Sequence, residues 1–132
     1  MSLRLALTAY LVPDYAAGLG FITQGLGWSV CEDRDMGDGK RWITVGPPGA
    51  AAQLLLARAV GDQAAAIGRQ GGGRVWLFLH SDDFTTDAAR LSRHGAVFEE
   101  DPRHEPYGIV AVFRDPFGNR WDLIQPAAFS AS

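Results

Sequence analysis

The chain repeats itself once, at a fixed spacing. Asp14-Tyr15 and Asp83-Phe84 stand 69 positions apart, and so do the turns Pro47-Pro48-Gly49 and Pro116-Phe117-Gly118. The same offset carries the apolar run Gln53-Leu54-Leu55-Leu56 onto Asp122-Leu123-Ile124-Gln125. A unit of this length exceeds a solenoid repeat and is too short to bury a full core alone, so the pattern predicts one domain built from two halves. Any site between such halves is lined by equivalent positions from both.

Composition narrows the function classes. With 132 residues, 47% hydrophobic and 20% charged, the chain has the make-up of a single globular domain. A net charge of −3, with basic and acidic residues interspersed, leaves no basic face for nucleic acid. The lone cysteine, Cys31, excludes an internal disulfide framework and a cysteine-based zinc cluster, and it fits a reducing compartment. The apolar run Leu5 to Val12 follows Arg4 but ends at Pro13-Asp14 without a small-residue cleavage pattern. No segment approaches the ~20 apolar residues of a membrane span. These features lead us to expect a cytoplasmic protein.

The coarse secondary structure follows from periodicity and punctuation. Leu3 to Val12 reads as a strand, and Asp14 caps a helix from Tyr15 to Leu26, where Leu19, Ile22 and Leu26 recur every three or four residues. Trp28 to Glu32 and Arg41 to Val45 read as strands around the turn Gly37-Asp38-Gly39, and Ala52 to Ala57 as a fourth strand. The first module (1–57) is thus βαβββ. Residues 58–72 link the halves, with a short helical stretch at Asp62 to Ile67. The second module (73–126) replays the order. A strand spans Arg74 to His80, Asp82 or Asp83 caps a helix through Leu91, and a strand covers Ala96 to Glu99. A polar loop follows at Asp101 to Pro106, then strands at Ile109 to Arg114 and Arg120 to Gln125. Gly118-Asn119 are expected to supply positive-φ residues to the last turn. Beyond Pro126 the chain carries no signal.

Two βαβββ modules, an aspartate-aromatic pair before each helix, and the run Phe113-Arg114-Asp115-Pro116-Phe117-Gly118-Asn119-Arg120-Trp121-Asp122-Leu123 resemble the vicinal oxygen chelate superfamily. This is the group of glyoxalases, bleomycin-resistance proteins and extradiol dioxygenases. The resemblance covers nearly the whole chain. It implies an α+β fold of two tandem modules whose mixed sheet curls around a cavity, with 1–132 as one domain, and a homodimer. In the family's enzymes, His and Glu side chains on the first and last strand of each module hold a divalent metal, which acts as a Lewis acid on substrate oxygens.

The resemblance places those ligand positions seven residues before the capping aspartate and four after the turn glycine. Here they are Leu7 and Gln53 in the first module, and Trp76 and Asp122 in the second. Leu7 and Trp76 offer no donor atom, Gln53 is a weak neutral ligand, and only Asp122 carries charge. One carboxylate and one amide hold a divalent ion poorly, because affinity needs several deprotonated donors converging. Three histidines remain. His80 shares the parity of Trp76 and either enters the cavity or faces solvent at the strand end. His94 sits at a helix C-terminus, where an imidazolium favours the dipole. His104 lies in the polar loop, which either covers the cavity or sits in solvent. The expectation is a protein with no metal and no other cofactor; the alternative keeps a divalent metal.

What remains is the cavity wall. Alternation from Asp122 carries Arg120 and Ile124 inward, and turns Trp121, Leu123 and Gln125 toward the helix or a second subunit. The same parity adds Phe78 and Leu55. Trp76 and Phe78 either line a pocket or fill a core. Asp122 is the candidate catalytic or ligand-orienting group, unless it serves only as an ion pair with Arg120. Leu7, Gln53, Trp76, Phe78, Arg120, Tyr107 and Trp42 are candidate ligand contacts. Arg41 competes with Trp42 for the inward position, and Arg114 and Asp115 are assigned to the turn. The favoured reading is a small-molecule binding protein of the glyoxalase/bleomycin-resistance type. The alternatives are a metal-dependent lyase, isomerase or dioxygenase of the same superfamily, and a domain whose cavity is filled by its own side chains.

Overall fold

The computed structural model describes residues 2–128. Met1 and residues 129–132, the end of the signal-free tail, lie outside the described residues. The chain divides into two units, one ending at Ile67 and one beginning at Gly68. The boundary falls within the 58–72 stretch that joins the repeated segments. The fold is mixed α+β with two sheets, as the repeat and the family resemblance indicate.

In the first unit the order is β1 (Leu7–Val12), α1 (Tyr15–Gly20), β2 (Ser29–Gly37), β3 (Lys40–Gly46) and β4 (Gln53–Arg58). The sheet order is β1-β4-β3-β2, with β1 parallel to β4 and the other pairs antiparallel. Asp14 caps α1 as expected, its Oδ1 accepting from Ala17 N at 2.7 Å. The helix then widens to a π-helical stretch at Phe21–Gly25 instead of continuing regularly to Leu26. The apolar spacing that suggested one helix still buries Phe21, Ile22 and Leu26. Gly18 lets α1 lie against β1, since a Cβ there would stand 2.8 Å from Val12 Cγ1. Tyr10, Val12, Ile43, Val45, Leu54 and Leu56 form the core on the helix side of this sheet. At roughly 1.5–3 kcal/mol per buried large side chain, this layer is the unit's main source of stability.

Two strand boundaries in this unit differ markedly from the sequence expectation. The first strand begins at Leu7, and Ser2 to Ala6 stay exposed, so apolar character alone did not mark pairing. β2 runs to Gly37, well past Glu32, because its polar residues pair with β3 as an exposed edge. The hairpin closes on Asp38 (φ 54°) and Gly39 (φ 77°), both left-handed as a tight two-residue turn requires. The short helical stretch expected at Asp62 to Ile67 is a 3-10 helix at Gly61–Ala66.

The second unit contains β5 (Val75–His80), α2 (Phe84–Arg93), β6 (Val97–Phe98), β7 (Arg103–Glu105), β8 (Gly108–Arg114) and β9 (Arg120–Pro126). Its sheet order is β5-β9-β8-β6, with β7 also pairing β8. Asp83, not Asp82, caps α2, its two carboxylate oxygens accepting from Thr86 N at 3.2 Å and Thr86 Oγ1 at 2.8 Å. The expected polar loop at Asp101 to Pro106 is partly the strand β7, whose three residues pair with Gly108, Ile109 and Val110. So short and polar an edge leaves no periodic signal. On the helix side, a row of aromatic rings links Phe84, Phe98, Phe113, Trp121 and Trp76, with successive centroids 5.3 to 6.5 Å apart.

The turn from β8 to β9 is built on one buried carboxylate. Asp115 is 4% exposed, and its Oδ1 accepts from the backbone N–H groups of Phe117, Gly118 and Asn119 at 2.9 to 3.0 Å. Its Oδ2 accepts from Asn119 Nδ2 at 3.0 Å and Trp121 Nε1 at 2.9 Å. Gly118 takes the positive φ (112°) expected of it, whereas Asn119 does not and instead bonds. Its Oδ1 accepts from Gln70 N at 3.2 Å. Replacing Asp115 with alanine strands several buried donors, each costing about 1–3 kcal/mol. The prediction is that Asp115→Ala lowers unfolding stability by at least about 3 kcal/mol in urea denaturation, while Arg114→Ala, an exposed neighbour, changes it by less than about 1 kcal/mol.

Candidate functional site

In each unit one sheet face carries the helix and core, and the opposite face carries the candidate residues. In the first unit, Leu7 and Gln53 are direct partners across β1 and β4, followed by Ala9 with Leu55 and Leu11 with Ala57. Leu7, Gln53 and Leu55 are all half-buried. Thr44, the partner of Leu55 on β3, shares this face, and its hydroxyl is buried without a hydrogen-bond partner among the described residues. Trp42 lies two residues along the same strand. Its Nε1 donates to Glu32 Oε1 at 3.3 Å, and the Arg34 guanidinium sits 5.7 Å from its ring centroid. Arg41 points the other way, over the Tyr15 ring.

In the second unit Asp122 stands between Phe78 on β5 and Val112 on β8. Trp76, the other ligand position of this unit, is not opposite Asp122. A register irregularity between Val75 and Leu77 breaks the two-residue alternation, and the Trp76 ring packs edge-on against Trp121 at 6.1 Å. Phe78 is left 63% exposed beside Asp122. His80, across from Ile124, is exposed at the strand end, as is His104 on β7. His94 is the C-cap residue of α2. Tyr107 is 55% exposed just before β8.

The electrostatics of this face depart from the simple ion pair. Arg120 does not pair with Asp122. Its Nε and Nη2 donate to the two oxygens of Glu99 at 2.9 and 3.0 Å, and its Nη1 to Gly73 O at 3.0 Å. Arg114 also reaches Glu99, at 3.0 Å. Glu100 accepts from Arg103 Nε at 2.8 Å and from Val112 N at 2.9 Å, and these bonds hold its carboxyl below the usual range. Asp122 is left outside this network, with Oδ1 buried and unbonded. Burial pushes its carboxyl above the ordinary range; Arg103 pulls against that, Glu100 adds to it, and Arg120 pulls down again.

The donor set does not fit a catalytic divalent metal. The four first- and last-strand positions supply one amide and one carboxylate, and Phe78, the actual partner of Asp122, supplies nothing. Among the described residues, no group of three or more His, Cys, Asp or Glu side chains converges as metal ligands would. Gln125, assigned to the helix side, accepts from Phe84 N at 2.8 Å and so ties β9 to the start of α2.

Sequence reasoning missed Thr44, and missed Glu99 and Glu100 as the groups that claim the nearby arginines. A polar residue inside Trp42-Ile43-Thr44-Val45 was a usable signal for the first. The two glutamates sit beyond a two-residue strand, where alternation carries no information.

Chains of known structure share this architecture. UcmS2 superposes with a TM-score of 0.77 at 28% identity, covering 94% of this chain and 98% of that one. TnmS3, an antibiotic binding protein from Streptomyces sp. CB03234, does so with a TM-score of 0.74 at 30% identity, covering 96% and 99%. An uncharacterized protein of Shewanella frigidimarina is 44% identical over 120 residues, 89% of each chain. The model of the Glyoxalase/Bleomycin resistance protein/Dioxygenase superfamily matches residues 4–123. The chain belongs to that superfamily.

Proposed function

We propose that this protein binds a small aromatic molecule on the open sheet faces, without a catalytic metal. The observation that carries the reading is Asp122, a carboxylate whose buried Oδ1 has no donor and which stands beside an exposed phenylalanine ring. Leaving such an acceptor unbonded costs about 1–3 kcal/mol, and a ligand hydroxyl or amine recovers that cost while its ring stacks on Phe78. Arg120, Arg114 and Arg103 already serve Glu99 and Glu100, so the free acceptor favours a donor-bearing ligand over an anion on this face. In the first unit the half-buried Gln53 offers a polar point among aliphatic walls. The antibiotic-binding activity of TnmS3 supports the same class. The reading extends to a homodimer in the cytoplasm. Its supports are the fully exposed edge strand β2, with Val30 and Met36 at 42% and 53% exposure, and the free thiol of Cys31.

Metal analysis and native mass spectrometry of protein purified without chelator test the proposal together. We expect no stoichiometric divalent ion, an organic adduct on the wild-type chain, and loss of that adduct in Asp122→Ala. One divalent ion per chain that disappears in Asp122→Ala overturns the reading in favour of a metalloenzyme.

The raised Asp122 carboxyl gives a second prediction. A carboxyl whose folded pKa lies above its unfolded value destabilises the fold where it must ionise, and the penalty fades as pH falls through the folded pKa. Asp122→Asn should therefore raise Tm at pH 7, with the gain shrinking toward the ordinary aspartate pKa of about 3.9. A gain that does not change with pH, or a loss at pH 7, contradicts the assignment.

A further inference from the structure

We infer that the first unit holds a second small-molecule site, suited to planar aromatic carboxylates, where β3 and β4 part. Although β3 has seven residues and β4 six, their ladder consists of only Ile43 with Leu56, Thr44 with Leu55 and Val45 with Leu54. Past Ile43 the strands separate, and Tyr15 takes the place of the missing partner. Arg41 N donates to the Tyr15 hydroxyl at 3.1 Å, and that hydroxyl donates to Arg41 O at 3.4 Å. A phenol is thus wedged where a strand would otherwise continue the sheet, satisfying the backbone groups that would have closed the gap.

The opening is a pocket of about 320 Å³, whose apolar wall is Tyr15, Trp42, Leu55, Ala57 and Val60. That volume accommodates a fused bicyclic ring, at the small end of ligand sites. Its rim is cationic. Lys40, Arg41 and Arg58 all border it. Asp33 neutralises Arg41, its Oδ1 accepting from Arg41 Nε at 3.2 Å. Lys40 and Arg58 form no ion pair among the described residues. The Arg58 guanidinium is nevertheless placed, 5.6 Å from the Tyr15 ring centroid, and that of Arg41 lies 5.4 Å from the same centroid. An apolar slot with an oriented, unneutralised fork at its mouth matches a ring bearing a carboxylate, which arginine binds through two parallel hydrogen bonds. Trp42 and Leu55 also lie on the first unit's open face, but no residue of this site belongs to the Asp122 face and the charge preference is the reverse, so the Asp122 reading and this site can fail separately.

The test compares 2-naphthoate with its neutral isostere 2-naphthamide by isothermal titration calorimetry and two-dimensional NMR on the full chain. The expected result is one-site binding of 2-naphthoate that perturbs the Tyr15 amide and the Trp42 indole signals. Arg58→Ala should weaken 2-naphthoate about tenfold and leave 2-naphthamide within about twofold, the cost of losing one charge-assisted contact. Arg93→Ala, the same charge change on exposed α2, should alter neither. Absence of 2-naphthoate binding, perturbations centred outside this pocket, or an affinity that Arg58→Ala leaves unchanged overturns the inference.

Discussion

The carboxylate of Asp115 is the interaction on which the second unit's geometry depends. Five N–H groups converge on it, three from the turn backbone and two from the side chains of Asn119 and Trp121. A buried charge is tolerated only when its acceptor sites are filled, and here they are filled by the residues that must form the turn. Holding Trp121 by its indole nitrogen fixes which face of β9 enters the aromatic row. Because side chains alternate along a strand, fixing Trp121 inward also fixes Asp122 outward. The turn and the candidate site are therefore one constraint read at successive residues.

The outward face is organised by competition for charge. Glu99 takes Arg120 and Arg114, and Glu100 takes Arg103, so cations that would otherwise neutralise Asp122 are spent on neighbours. What is left is an acceptor whose ionised form is penalised by burial and whose surroundings include an exposed aromatic ring. A strong acceptor of this kind selects for hydrogen-bond donors, and it offers a divalent ion only one of the several anions needed. The first unit reaches a similar arrangement by other residues. Thr44 carries the orphan hydroxyl, and the phenol of Tyr15 interrupts the sheet, turning a ladder defect into a concave surface.

Much of this was legible in the sequence, for identifiable reasons. The 69-residue offset between the capping aspartates and between the turns marked two βαβββ units, because capping and tight turns demand particular residue types at particular places. Strand alternation placed Trp121 on the helix side and Asp122 on the opposite face, as observed. That Phe78 stands opposite Asp122 was not legible, since the register between β5 and β9 shifts at Trp76 and no local composition announces a bulge. The fate of Arg120 was also invisible. It depends on Glu99, which lies 21 positions earlier and reaches it only through the fold. β7 was read as loop because three polar residues on an edge carry no periodic signature.

The central claim is that Asp122 is a buried, unsatisfied acceptor awaiting a ligand donor and is not a metal ligand. It is tested most directly by titrating the ¹³C signal of the Asp122 carboxyl in the ligand-free protein, with and without added Zn²⁺. The account predicts a midpoint above the ordinary aspartate value of about 3.9 that Zn²⁺ leaves in place. A midpoint at or below that value, or one that Zn²⁺ drives sharply down, contradicts it.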